Sequence, residues 1–265
     1  MQMIKIADEY GKHITYKQSL FPGGEVFIKL EPENRLFELV YITANLESAK
    51  DIIELLLITN ALRVINPRVI IDLQMPYVPY ARQDRVMTFG ESLSIKVFAD
   101  IINSQKYDQV EIWDPHSDVT SALINNVVVV EQHEIAKSIE RDWASTVLVA
   151  PDAGAAKKIY KLAKEVNCPV IIANKIRDVA TSKITHTLID IKGYETAKFL
   201  IVDDICDGGR TFTELSKIMR RQGADYIDLY VTHGIFAAGL NVFDGLIETI
   251  YCANSWIESK RIIKV

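Results

Sequence analysis

The chain has 265 residues, of which 49% are hydrophobic and 25% are charged. This composition is typical of a globular protein and excludes the collagen-like, disordered and coiled-coil classes. The net charge of −5 argues against the broad basic surface that a nucleic-acid backbone requires, so we expect no nucleic-acid partner.

The cysteines and the apolar runs indicate the cellular compartment. The three cysteines are odd in number and lack metal-ligand spacing, which favours free thiols in a reducing cytoplasm. Residues 1–5 lack the apolar stretch of a signal peptide. The strongest apolar run, at 55–62, is too short to span a bilayer. We therefore expect a cytoplasmic protein without a membrane partner.

Strand and helix patterns alternate along the chain. Runs rich in Val, Ile and Leu are typical of strands that are buried on both faces. The predicted strands cover 37–43, 68–75, 109–114, 127–130, 146–150, 169–173, 198–203 and 226–232. Apolar residues at helical spacing lie between them, and Ser48 is the predicted N-cap of the first helix. The other predicted helices cover 93–103, 134–142, 154–166 and 209–222.

This alternation predicts an α/β protein with mostly parallel sheets. The strand candidates outnumber the roughly 5–6 strands of a typical sheet, so we expect two doubly wound domains, 1–132 and 133–265. Ligands of such folds bind beyond the carboxyl ends of the strands. The candidate functional residues are therefore the polar residues at the ends of the predicted strands.

The segment at the end of the strand 198–203 carries the most chemical information. Asp203, Asp204 and Asp207 lead into Gly208 and Gly209, and a predicted helix follows. Glycines let backbone N–H groups approach a phosphate, and the helix dipole favours the anion. Aspartates accept hydrogen bonds from sugar hydroxyls or face a magnesium ion. The alternative is a capped helix with a solvated acidic turn.

Residues 203–211 resemble the phosphoribosyl-diphosphate binding loop shared by phosphoribosyltransferases and ribose-phosphate pyrophosphokinases. Five other segments resemble pyrophosphokinase motifs and follow one another in the family's order. They are Phe-Pro-Gly-Gly-Glu at 21–25, the ATP-binding stretch at 76–85, Asp-Pro-His-Ser-Asp at 114–118, Pro-Asp-Ala-Gly at 151–154 and Asn-Lys-Ile-Arg at 174–177. The resemblance implies two phosphoribosyltransferase-like domains, with the ATP side in 1–132 and the ribose-phosphate loop in 133–265.

The resemblance also implies the reaction and its nucleotide site. The family transfers the β,γ-pyrophosphoryl group of ATP to the anomeric hydroxyl of ribose 5-phosphate, and AMP leaves. The implied ATP-binding residues are Phe21, Glu25, Arg82, Gln83, Arg85 and His116. His116 and Asp152 would hold Mg²⁺ together with ATP. Without the resemblance, the run at 82–85 is equally typical of a solvated loop, and a lone histidine is usually structural.

The acceptor site and the catalytic residues are implied in the same way. Lys175 and Arg177 would close over the transferring phosphate in the transition state; without the resemblance, the alternative is that they are surface charges. The implied ribose-phosphate-binding residues are Asp203, Asp204, Asp207, Gly208, Gly209, Arg210 and Thr211. The family is oligomeric, so we expect a dimer-based homo-oligomer in which Phe21 and Glu25 serve a neighbouring subunit.

The ribose-phosphate loop departs from the family pattern at two positions. Gly208 stands where the family has threonine, and Arg210 stands where glycine is usual. The lost side chain widens the site, and a guanidinium can bind more than one phosphate. This favours an acceptor with a diphosphate, such as ADP-ribose in a branch that rebuilds NAD. The alternative is that Arg210 points to solvent and ribose 5-phosphate remains the acceptor.

Other departures concern selectivity and regulation. Gly23 replaces the acid of the adenine-binding turn, and few basic residues follow Arg177. The chain ends near the family's last strand, at 262–265, so we expect no closing helix there. ATP selectivity and regulation by ADP are therefore open at this point.

Two other functions remain as alternatives. A phosphoribosyltransferase would share the loop at 203–211, but it has no need for an ATP site at 82–85 and His116. A non-catalytic regulatory subunit of the same family would share the fold. Retention of Lys175, Arg177 and Asp152 argues against that second alternative.

Overall fold

The computed structural model describes residues 3–32, 36–177, 184–194 and 196–265, without the side chains of 175–177 and 184–186. The chain divides into two compact units, Met1–Val130 and Glu131–Val265. The predicted boundary after residue 132 lies just beyond this division. Each unit contains its own sheet and its own hydrophobic core.

The N-terminal unit contains a five-stranded sheet, a hairpin and three helices. Its strands are β1 Ile4–Asp8, β2 Thr15–Leu20, β3 Val26–Glu31, β4 Leu39–Ala44, β5 Ile70–Gln74, β6 Gln109–Trp113 and β7 Val127–Val130. Its helices are α1 Ala49–Ile65, α2 Ser94–Ser104 and α3 Asp118–Leu123. The sheet order is β1-β4-β5-β6-β7, with β1 antiparallel and the other four strands parallel. Strands β2 and β3 form the separate antiparallel hairpin.

The main helices of the N-terminal sheet pack on one face. Strands β4 to β7 are neighbours in chain order, so right-handed crossovers carry α1 and α2 to the same side. Leu55 of α1 and Phe98 of α2 accordingly join Ile42 and Leu73 of the sheet in one core.

The C-terminal unit contains a six-stranded sheet and a second hairpin. Its strands are β8 Thr146–Ala150, β9 Val170–Ile172, β10 Asn174–Arg177, β11 Ile184–Leu188, β12 Lys198–Cys206, β13 Tyr226–Gly234, β14 Ile250–Ser255 and β15 Ile262–Lys264. Its helices are α4 Gln132–Ala136, α5 Ala153–Val166 and α6 Arg210–Arg221. The parallel sheet has the order β15-β14-β13-β12-β8-β9, and β10 pairs with β11 in an antiparallel hairpin.

The strand order of the C-terminal sheet reverses between β8 and β12. After β8 the chain moves outward to β9, and from β12 it moves in the opposite direction to β15. Helix α5 packs on the face that carries Leu200 and Val202, and α6 packs on the face that carries Phe199 and Ile201. Open α/β sheets bind ligands at such a reversal, beyond the carboxyl ends of the strands. The ends of β8 and β12 are therefore the place to look for a site.

The predicted α/β class with mostly parallel sheets is confirmed. The predicted cap of α1 is also present: Ser48 accepts a hydrogen bond from the backbone N–H of Asp51, and Asp51 accepts one from that of Ser48. None of the helices in the described ranges combines the length and hydropathy needed to cross a bilayer.

Two predicted boundaries are wrong. Strand β12 continues to Cys206, so Asp204 lies inside the strand rather than after it, and Asp203 is not its last residue. The helix predicted over 134–142 ends at Ala136. Beyond it, Arg141 turns inward to an ion pair with the buried Asp228, with Nη1 3.3 Å from Oδ2. The pattern also does not predict the β2–β3 hairpin, because most of its residues are exposed or only partly buried.

Candidate active site

In the loop between β8 and α5, the carboxylate of Asp152 caps the helix that follows. Asp152 follows the fully buried strand β8 and has an extended backbone, with φ −162° and ψ 178°. Its Oδ1 accepts hydrogen bonds from the N–H groups of Gly154, at 3.0 Å, and Ala155, at 3.2 Å. The predicted metal ligand is therefore also the N-cap of α5, which satisfies two of the helix's unpaired donors.

The loop between β12 and α6 has no such carboxylate cap. Gly209 occupies the N-cap with φ +78°, and no side chain of the described residues caps the helix start. A Cβ at Gly209 would lie 2.6 Å from Cζ of Phe243, whereas one at Gly208 would have no neighbour within 4 Å. Glycine is thus required at 209 by both backbone angle and packing. The first-turn N–H groups of α6 can serve an anion.

Asp203 and Asp204 project to opposite faces of the C-terminal sheet, because neighbouring residues of a strand alternate. Asp204 lies on the α5 face, where its Oδ2 is 3.5 Å from Nζ of Lys158. Asp203 is half-buried, and its Oδ1 accepts a hydrogen bond of 3.0 Å from the backbone N–H of Asp204. The structure thus places the two aspartates together along the strand but separates their side chains.

Lys158 is a residue that the sequence reasoning missed. Helix α5 carries several lysines, and no motif marks one of them. The position of Lys158 on the helix could have indicated it. Lys158 directly precedes the buried Ile159, so it lies at the border of the buried face of α5. Such a position lets the stem of a lysine run along apolar surface while its ammonium reaches a polar edge.

The remaining loop residues lie at the start of α6. Asp207 is exposed, and its carbonyl accepts a hydrogen bond of 3.0 Å from the N–H of Ala237. Arg210 is the first residue of the helix and is exposed. Its guanidinium makes no hydrogen bond or ion pair with the part of the chain that the structure describes. Thr211 is half-buried in the same turn.

The predicted ATP-binding stretch of the N-terminal unit contains a bidentate ion pair. Arg85 donates from Nε and Nη2 to the two carboxylate oxygens of Asp84, at 2.8 and 3.0 Å. These bonds, with a smaller electrostatic contribution from the nearby His116, lower the pKa of Asp84 to about 2 although burial opposes them. Arg82 and Gln83 are exposed beside this pair. The stretch and the histidine segment therefore lie together.

The backbone joins the same two segments. The N–H of Trp113 donates to the carbonyl of Pro76 at 3.0 Å. His116 follows on an exposed turn, after the buried Asp114, whose φ of +39° is left-handed. The structure thus groups Arg82, Gln83, Arg85 and His116 on one edge of the N-terminal sheet.

Phe21 and Glu25 lie at the tip of the β2–β3 hairpin. The N–H of Phe21 donates to the carbonyl of Glu25 at 2.9 Å, and Gly24 turns the chain with φ +89°. The Phe21 ring is 52% exposed and packs edge-on against Phe27, with 5.8 Å between ring centroids. An exposed aromatic ring beside a carboxylate is suited to a purine base.

Lys175 and Arg177 belong to β10, whose backbone pairs with β11. The register shifts between Ile176 and Arg177. The side chains of Lys175 and Arg177 lie outside the described part of the structure, so their predicted catalytic role remains a prediction.

The carboxylate of Asp152 fits a magnesium ion that binds together with its nucleotide. Among the described residues, no group of three or more His, Cys, Asp or Glu side chains is arranged to hold a metal. Magnesium does not require such a cage, because proteins usually bind it through one or two carboxylates, waters and the substrate's phosphates. The carboxylate of Asp152 is of the type that this ion prefers.

Two family models match the chain. The N-terminal domain of ribose phosphate pyrophosphokinase matches residues 3–105. The phosphoribosyl transferase domain matches residues 121–239. The order of the two models agrees with the order of the two units.

Named relatives and a solved structure agree with these models. The chain is 30% identical over 222 residues to the ribose-phosphate pyrophosphokinase of Pyrococcus furiosus, covering 83% of this chain and 77% of that relative. It is 27% identical over 232 residues to that of Saccharolobus solfataricus, covering 85% and 78%. Phosphoribosylpyrophosphate synthetase from Mycobacterium smegmatis has the same fold, with TM-score 0.78, 20% identity and coverage of 95% and 86%. The chain belongs to the ribose-phosphate pyrophosphokinase family, which confirms the resemblance seen in its motifs.

Proposed function

We propose that this protein transfers the β,γ-pyrophosphoryl group of ATP to the anomeric hydroxyl of a ribose 5-phosphate moiety. The observation that carries the proposal is the start of α6. It follows the aspartates of β12 at the strand-order reversal and has no side-chain cap within the described residues. A helix start of this kind binds phosphate through its N–H groups, and nearby carboxylates can accept hydrogen bonds from sugar hydroxyls.

The chemical step forms one bond and breaks one bond. The anomeric oxygen of the acceptor bonds to the β-phosphorus of ATP, and the bond from that phosphorus to the bridging oxygen of AMP breaks. The hydroxyl proton leaves to solvent, and AMP carries away the bridging oxygen. Such a displacement depends mainly on positioning and on charge stabilisation.

The acceptor is assigned to the C-terminal unit. Asp203 and Asp204 orient the ribose hydroxyls, and Asp207 lies next to the sugar and its phosphate. The N–H groups of the loop residues bind the 5′-phosphate; these are Gly208, Gly209, Arg210 and Thr211. Supporting this assignment, Gly209 is required by its left-handed backbone and its packing on Phe243.

ATP is assigned to the N-terminal unit. Arg82, Gln83 and Arg85 bind the polyphosphate through their planar donor groups. Supporting this, the side chains of all three residues are exposed beside His116. Phe21 and Glu25 hold the adenine.

Magnesium is assigned to His116 and Asp152. When bound, the ion neutralises charge on the phosphate oxygens. Asp152 contributes a carboxylate whose orientation is already set by its two hydrogen bonds to the α5 backbone. Lys175 and Arg177 are assigned to the equatorial oxygens in the transition state, where added positive charge raises the rate.

ADP-ribose is the acceptor that the α6 loop favours. The guanidinium of Arg210 is exposed and has no partner within the described residues, and the space around Gly208 is open. A diphosphate offers a second phosphate to this guanidinium. Ribose 5-phosphate is the family's acceptor and remains the second candidate.

One assay tests the function and the acceptor together. The protein is incubated with Mg-ATP and either ribose 5-phosphate or ADP-ribose, and AMP is separated by chromatography. AMP formed only with ADP-ribose supports the favoured acceptor, and AMP formed only with ribose 5-phosphate supports the second. Absence of AMP with both acceptors would contradict the proposed function. Omission of Mg²⁺ should abolish AMP release.

A further inference from the structure

The ion pair between Lys158 and Asp204 is shielded from water. Nζ of Lys158 on α5 lies 3.5 Å from Oδ2 of Asp204 on β12, and the two side chains are 23% and 11% exposed. Helix α5 makes a second ion pair, Lys161 with Glu131, but there the side chains are 44% and 41% exposed. Because water screens a shielded pair less than a surface pair, the Lys158 pair is the stronger constraint.

The fold explains why Lys158 reaches this carboxylate. Alternation along β12 places Asp204 on the same face as Val202, which packs with Ile159 and Leu162 of α5. Lys158 borders that buried face of the helix. Its position is therefore set by the same core that sets the position of Asp204.

We infer that Lys158 is a positioning residue for the acceptor sugar. It holds the carboxylate of Asp204 in one orientation before the sugar binds. The inference rests on the proposed function, in which Asp204 accepts a hydrogen bond from a ribose hydroxyl. A preoriented acceptor group strengthens such binding because less conformational freedom is lost when the sugar arrives.

The test replaces the ammonium but keeps the apolar stem. Lys158→Met should raise the KM for the acceptor about tenfold and leave the KM for ATP within about twofold, as is usual when a supporting residue is lost. Lys158→Arg keeps the charge and should restore most of the acceptor affinity. Lys161→Met is the matched control, because it removes an exposed ion pair of the same helix, and it should leave both KM values unchanged.

A second background separates positioning from direct contact with the substrate. In Asp204→Asn, the further change Lys158→Met should raise the acceptor KM by less than about twofold, because the partner charge is already gone. A full tenfold increase in that background would mean that Lys158 binds the substrate itself, and it would overturn the inference. Thermal unfolding of each variant verifies that the C-terminal unit is folded.

Different results would overturn the role of Lys158 and the proposed function. If the wild-type protein releases AMP and Lys158→Met has a normal acceptor KM, the inference is wrong and the proposed function stands. If Lys158→Met raises the KM values for ATP and acceptor equally, the inference is also wrong. If the wild type releases no AMP with either acceptor, the proposed function and the inference are both overturned.

Discussion

The starts of α5 and α6 are built from the same elements but are closed in different ways. Each follows a buried parallel strand at the strand-order reversal of the C-terminal sheet. At α5, the carboxylate of Asp152 accepts hydrogen bonds from the first-turn N–H groups. At α6, Gly209 occupies the same position without a side chain. One helix start thus presents a negative charge, and the other presents backbone N–H groups that no side chain of the described residues caps.

The two helix starts therefore differ in charge at one edge of the C-terminal sheet. A carboxylate at a helix start excludes a phosphate from that start and leaves a ligand suited to a cation. A glycine at the same position attracts a phosphate. In the proposed function, the residue at the N-cap therefore decides which charge each helix start binds.

The largest expected effect lies outside both helix starts. If they only bind ground-state groups, Lys175→Ala should lower kcat about 10³-fold and leave ATP affinity nearly unchanged, because the lost charge acts in the transition state. Measurements of kcat by AMP release and of ATP affinity by calorimetry check this. Lys164→Ala, an exposed lysine of α5, is the control. Normal turnover of Lys175→Ala would mean that Lys175 is not catalytic and that residues at the helix starts supply the catalysis.

The next largest effect is expected at Gly209, at the start of α6. Gly209→Ala should destabilise the C-terminal unit by about 3 kcal/mol, because a left-handed backbone and a clash with the buried Phe243 add together. Gly208→Ala has open space and should change stability by less than about 0.5 kcal/mol. Denaturant unfolding measures both. Equal stability of the two variants would show that the α6 start tolerates a side chain.

The start of α5 is tested by variants that separate the charge of Asp152 from its capping of the helix. Asp152→Asn retains an oxygen that can cap α5, so stability should stay within about 0.5 kcal/mol of the wild type. Activity with Mg-ATP should fall about 10- to 100-fold if the charge helps hold the metal. Asp152→Ala should lose the same activity and about 1 kcal/mol of stability in addition. Normal activity of Asp152→Asn would restrict Asp152 to capping.

A smaller effect is expected at the first residue of α6. Arg210→Gly should shift the preference between ADP-ribose and ribose 5-phosphate about tenfold toward ribose 5-phosphate, because a charge-assisted contact to the second phosphate is lost. The ratio of the two kcat/KM values measures this shift. Lys217→Ala, an exposed residue of the same helix, should leave the ratio unchanged. An unchanged ratio in Arg210→Gly would mean that Arg210 does not select the acceptor.

The smallest effect concerns a carboxylate that is paired with a side chain instead of a helix start. Arg85 lowers the pKa of Asp84 to about 2. This pair therefore stabilises the fold above the ordinary pKa of aspartate and loses its effect as the pH falls toward 2. Arg85→Ala should raise the pKa of Asp84 and lower the stability only slightly at pH 6, because Arg85 is 70% exposed and water screens the pair.

NMR titration of Asp84 and unfolding at pH 6 and pH 2 measure these changes. The stability difference between Arg85→Ala and the wild type should be larger at pH 6 than at pH 2. The opposite order would show that Arg85 does not stabilise the ionised carboxylate.

The strands with continuous apolar runs were the most predictable part of the fold. Strands β7 and β8 have the predicted bounds. Strand β8 is buried along its whole length, as such a run predicts, whereas β7 is only partly buried and its Val128 is 43% exposed. The end of β12 was predicted three residues too early, at Asp203, because Asp204 and the residues after it were assigned to the loop. Polar residues at the end of a strand can stay in the sheet when backbone pairing with β13 continues.

The candidate site was predictable in its residues but less so in its contacts. The aspartates, the glycines and Arg210 stand in one short segment, so their grouping follows from the sequence. Lys158 stands far from that segment, and the packing of α5 on β12 brings it to Asp204. Likewise, the separation of Asp203 and Asp204 onto two faces depends on their being inside the strand.

The sequence by itself determined the family, the alternation of strands and helices, and the residue types at the strand ends, because each is written in local patterns. Only the tertiary structure decided that Gly209 packs against Phe243 and that Lys158 pairs with Asp204. These contacts depend on which helix packs on which face, and they join residues that are distant in the chain, so local pattern does not contain them. The cap of α5 by Asp152 is different, because it is a contact within three residues.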